Sequence, residues 1–129
     1  MEILLIALFV FIGLAHMGFL LLEMVFWTKP LGRKVFRMSL EKAEATKVMA
    51  INQGAYNGFL AAGLFWTAYK AALGDWDWAG PLAIFFLSCV FIAGIVGAVS
   101  VNKRIFFVQG LPAFLALVLL LGQLIFVRA

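Results

Sequence analysis

Apolar residues run with few interruptions through four stretches of the chain, about 3–27, 48–69, 81–101 and 105–127. Each matches the roughly 20 residues that a helix needs to cross the ~30 Å hydrocarbon core of a bilayer. Backbone groups find no water there, so these spans are helices and not open strands. The pattern predicts an all-α, four-transmembrane-helix bundle that forms a single integral membrane domain over residues 1–129. The first stretch differs from a cleaved signal peptide. Glu2 opens it with an acid, its apolar core is long, and its basic residues follow it.

Polar sequence fills residues 28–47. Pro30 and Gly32 stop the first helix, and Ser39 is placed to cap the next, with Glu41 in its first turn. From there nothing breaks a helix before about Ala72. Such a helix is roughly 50 Å long, so its first two turns extend into the cytoplasm.

Composition agrees with a bilayer as solvent. Hydrophobic residues make up 66% of the chain and charged ones 12%, against about 25% charged in an average soluble domain. The charges also orient it. Lys29, Arg33, Lys34, Arg37, Lys42 and Lys47 precede the second span, and Lys103 and Arg104 precede the fourth. Only Lys70 and Arg128 fall on the other side. The positive-inside rule makes the eight-residue majority cytoplasmic and places both termini outside. A multi-pass protein of the inner (cytoplasmic) membrane is expected. Its net charge of +4 reflects topology and calls for no nucleic-acid partner. The basic segment 28–47 also favours anionic headgroups. The outer hairpin "KAALGDWDWAG" brings Trp76 and Trp78 to the interface, and Trp27 and Trp66 lie near other span boundaries.

One cysteine, Cys89, and one histidine, His16, exclude a disulfide framework, a multi-cysteine cluster and bis-histidine haem. His16 and Glu23 share a face of the first helix but are roughly 10 Å apart along it. That is a poor metal site, and neither a metal nor a cofactor is expected.

The densest polar cluster is "INQGAYNGFL", residues 51–60. Asn52, Gln53, Tyr56 and Asn57 fall within an arc of about 140° on the second helix, with Gly54, Gly58, Ala61 and Ala62 opposite. Small residues at this spacing let helices approach closely, and Gly94 and Gly97 with Ala93 and Ala98 repeat the spacing on the third span. In the predicted orientation, Glu23, Asn52, Gln53 and Gln109 lie in the cytoplasmic half, His16 and Asn57 near the midplane, and Asn102 at the inner mouth. The outer half has little that is polar besides Gln123 and Ser88. A pocket open to the cytoplasm fits this asymmetry better than a pore. In "VQGLPAF", Pro112 and Gly110 are expected to kink the fourth helix and free a carbonyl near Val108.

His16, "LLEM", "KP", "NQGAYNGFLAAGL", "GAVS" and "VQGLPAFLAL" together resemble the bacterial four-helix membrane proteins catalogued as domain-of-unknown-function family 1304. The resemblance covers nearly the whole chain and implies fold and topology, with no established reaction. In layout alone the chain is similar to the membrane-associated glutathione-transferase and leukotriene-synthase class. Of that class's Arg-Ala-x-x-Asn-x-x-Glu signature only Asn52 matches, with Val48 and Ala55 in place of the arginine and glutamate.

Three functions are compatible with these residues. The pocket binds a lipid or amphiphilic small molecule, with Glu23 or His16 as acid or base, Tyr56 as proton donor, and Asn52, Gln53, Asn57, Asn102 and Gln109 orienting the ligand. Alternatively His16 and Glu23 form a proton relay in a transporter or channel subunit. In the third reading the protein is a non-catalytic assembly protein whose polar cluster fixes helix register. The partners expected are membrane lipids and a second copy or a larger membrane complex.

Overall fold

A computed structural model of the chain describes residues 1–127; Arg128, assigned above to the outer side, lies outside them. The described residues form helices α1 (Glu2–Met24), α2 (Pro30–Phe36), α3 (Leu40–Ala72), α4 (Trp76–Ser100) and α5 (Leu111–Val127), with a π turn (Phe106–Gly110) running directly into α5. Two compact units divide the chain: residues 14–61 make one, and residues 1–13 with those from 62 onward make the other.

The distribution of burial is compatible with lipid as the solvent. Of the sixteen buried hydrophobic residues among those described, nine are alanine. Ile3, Phe85, Val99 and Phe107 are among the many large apolar side chains that point outward. Lipid tails are as apolar as leucine, so helices gain nothing by hiding leucine and associate instead through small residues. Three segments are long and apolar enough to cross a membrane: Glu2–Met24, Trp76–Ser100 and Phe106–Ile125. The expectation of four is corrected here. At 33 residues α3 has the length, but Asn52, Gln53, Asn57 and the charges of its first turns dilute its apolar character.

The ends of α3 follow local chemistry. The Ser39 hydroxyl accepts the Lys42 N–H at 3.2 Å, satisfying one of the four donors that a helix N-terminus leaves free. Gly74, at φ +74°, takes the left-handed conformation that ends the helix cheaply. Ser39→Ala should cost about 1 kcal/mol, seen as faster amide exchange in residues 40–43 with the rest of α3 unchanged.

In the unit containing α4 and α5, the turn after α3 is shorter than the sequence implies. α4 begins at Trp76, so Trp76, Asp77 and Trp78 are helical, and Pro81 lies inside the helix instead of starting it. Lys70 pairs with Asp75 at 2.8 Å, closing that turn. The buried face of α4 is Ala79, Gly80, Ala83, Leu87, Val90 and Gly94, alternating steps of one, three and four residues. Its closest neighbour is the π turn. A Cβ on Gly94 would lie 2.6 Å from both the Cα and the N of Gly110, so two backbones touch there. The turn widens because Pro112 has no N–H to offer Val108. The Leu111 N–H reaches back to the Phe106 carbonyl instead, giving the five-residue spacing of a π bulge.

Candidate functional site

The polar centre lies in the unit of residues 14–61, where α1 and α3 run side by side. Glycines set their separation. A Cβ on Gly54 would collide with the Met24 side chain and lie 3.3 Å from the Leu20 carbonyl oxygen, and one on Gly58 would lie 2.8 Å from Leu20 Cδ1. Between these glycines Asn57 enters the contact. It is only 6% exposed, and both ends of its amide are used.

The Asn57 Oδ1 is 2.7 Å from His16 Nδ1, and the Asn57 Nδ2 donates to Glu23 Oε2 at 2.6 Å. Nδ2 also makes a long contact, 3.4 Å, with the Gln53 carbonyl one turn back. With Nδ2 donating to Glu23, the carbonyl end of the amide is left for His16, so Nδ1 carries a proton. In the neutral ring that tautomer makes Nε2 the unprotonated nitrogen. His16 is 1% exposed, and Phe19 meets its ring edge-on at 5.6 Å. The result is an oriented imidazole held by an amide, which is itself held by a carboxylate. Chemically it can accept a proton at Nε2 or a hydrogen bond from a donor.

The other residues singled out from the sequence are placed differently. Asn52 and Gln53 are exposed. Tyr56 is 55% exposed, away from the buried amide, with its ring against Phe59 at 6.1 Å. Asn57 thus separates from the polar arc and joins the packed face of Ala50, Gly54, Ala61 and Leu64. Ala62, grouped with that face above, is exposed, and its neighbour Gly63 is buried against the Phe86 ring. Asn102 and Gln109 belong to the other unit. There Asn102 Oδ1 accepts the Arg104 N–H at 2.9 Å, bracing the turn before the last span, and Gln109 sits in the π turn. Gly97 packs against Ile105. No group of three or more His, Cys, Asp or Glu side chains able to hold a metal occurs among the described residues.

One feature of that second unit has no signal in the sequence. A cleft of about 160 Å³ is lined by Trp76, Asp77, Gly80, Pro81, Ile84 and Leu124. The Trp76 Nε1 and the Gln123 Oε1 are both buried with no hydrogen-bond partner among the described residues. The cleft's lining includes Trp76, Asp77 and Gly80, which are helical because α4 begins ahead of Pro81.

Small residues inside, large apolar residues outside, and helices fit to span a bilayer define a small all-α protein of membrane type. The chain belongs to the family described as Protein of unknown function (DUF1304), whose model matches residues 10–121. It is similar to the uncharacterized protein YpaA of Lactococcus lactis subsp. lactis (strain IL1403). The two are 30% identical over 122 residues, covering 92% of this chain and 97% of that protein. No solved structure matches the chain.

Proposed function

We propose that this is a multi-pass protein of the cytoplasmic membrane that binds a lipid or amphiphilic small molecule from the cytoplasmic side. In this reading His16 serves as its acid–base group. The observation that carries it is the chain of hydrogen bonds from His16 through Asn57 to Glu23, which fixes the ring and, when it is neutral, leaves Nε2 to accept a proton. Asn57 and Glu23 are positioning residues here. Proton transfer between His16 and Glu23 would require Asn57 to leave its amide form at each passage, so acid–base chemistry fits better than a transport relay.

Glu23→Gln separates chemistry from architecture. Its amide oxygen still accepts from Asn57, so the thermal midpoint should stay within a few degrees of the parent. Without the carboxylate's charge, His16 is no longer held to one tautomer. An amphiphile that co-purifies with the parent from native membranes, detected by mass spectrometry, should fall to a tenth or less. Equal retention at equal stability would reduce the network to a helix-pairing device.

A further inference from the structure

We propose that α2 is a docking surface for anionic phospholipid, with Arg33 and Lys34 on the headgroups and Leu31 and Val35 among the upper acyl carbons. The inference is independent of the His16 reading. α1, a candidate membrane span, ends at Met24, and α2 begins at Pro30. A basic segment immediately after a span lies where the surface potential of an anionic leaflet is strongest.

The segment is built, and is not a loose linker. The Trp27 ring lies on Phe36 with centroids 4.7 Å apart, and its Nε1–H donates to the Thr46 hydroxyl at 3.1 Å. That hydroxyl in turn donates to the Lys42 carbonyl at 2.7 Å. The Phe26 carbonyl oxygen occupies the space a side chain at Gly32 would need, so α2 rests directly on backbone. Arg37 closes the helix in the left-handed conformation, φ 51°.

With Gly32 facing inward, 100° per residue puts Arg33 and Lys34 on one outer flank and Leu31 and Val35 on the other. Leu31 and Val35 are each 50% exposed. Lys29, Lys34 and Arg37 are exposed as well. A short helix with a basic and an apolar flank lies in the plane of a membrane surface. Arg33 is half-buried, with its Nε inside the protein, so headgroup contact falls to the rest of its guanidinium. A phosphodiester brings acceptor oxygens suited to a guanidinium, whereas phosphocholine surfaces offer no net negative charge to the neighbouring lysines. Charge complementarity therefore selects an anionic bilayer as occupant.

The test uses the full-length protein in mild detergent, titrated with phosphatidylglycerol or phosphatidylcholine and followed by native mass spectrometry. The parent should retain phosphatidylglycerol preferentially, and the preference should fall as salt rises. Each basic side chain near an anionic surface contributes on the order of 1 kcal/mol, so Arg33→Gln with Lys34→Gln should reduce the preference about 25-fold. Leu31→Ser with Val35→Ser should weaken retention while keeping the selectivity. Should Arg33→Gln fail to fold, Lys29→Gln with Lys34→Gln at exposed positions makes the same test. Equal retention of the two lipids by the parent, or selectivity unchanged by the charge variants, overturns the proposal. So does full displacement of phosphatidylglycerol by inorganic phosphate, which would mark a simple anion site.

Discussion

Replacing Asn57 with leucine is expected to destabilise the protein by about 3–5 kcal/mol, the range seen when one partner of a buried charged network is removed. The side chains are close in size, so packing changes little. What changes is that His16 loses the acceptor for its Nδ1–H and Glu23 loses its amide donor. His16, 1% exposed, keeps the full desolvation cost of its orphaned donor, while the half-buried Glu23 recovers part of its loss through water. Thermal denaturation in detergent should begin on the order of 10 °C lower. The triple variant His16→Phe, Glu23→Leu, Asn57→Leu should recover most of the loss, because an apolar replacement leaves nothing unsatisfied. If Asn57→Leu alone melts with the parent, the amide is not holding its two neighbours.

Gly94→Val should be the second most damaging change, at about 3 kcal/mol, the upper end for overpacking. The new Cβ would meet the backbone of Gly110 at 2.6 Å. Backbone cannot rotate aside as a side chain does, so α4 must withdraw from the π turn along its length. Gly18→Ala and Gly122→Ala are the controls, since nothing lies within 4 Å of a Cβ at either position. Alanine is the better helix former by about 1 kcal/mol, so both should be neutral or slightly stabilising within this chain. Equal effects at Gly94 and Gly18, measured by thermal midpoint, would contradict the packing described.

The sequence revealed elements more readily than contacts. Ser39 and the absence of breakers to Ala72 located both ends of α3, because capping is local chemistry. Pro112 and Gly110 marked the distortion before α5, though not that it would take the form of a π turn. The polar arc on α3 was harder. Asn57 has the same kind of side chain as Asn52 and sits five residues from it, yet one is buried and the other exposed. What separates them is register. Asn57 falls 60° from Gly54 on the wheel and shares the seven-residue repeat of Ala50, Gly54, Ala61, Leu64, Ala68 and Ala71. Grouping by polarity conceals that repeat, and only a neighbouring helix decides which grouping applies. Counting apolar residues likewise set α3 beside the other spans, although its polar content sets it apart.

The direction of the hydrogen bonds at His16 is the centre of the functional account, and one measurement reads it directly. His16 is the only histidine, so ¹⁵N-histidine labelling of the untagged protein in lipid nanodiscs gives a single imidazole to observe. At neutral pH the ring should be neutral, with the proton on Nδ1 and Nε2 bare. A ring protonated on Nε2 with Nδ1 bare would reverse the Asn57 amide, detach it from an ionised Glu23, and contradict the site.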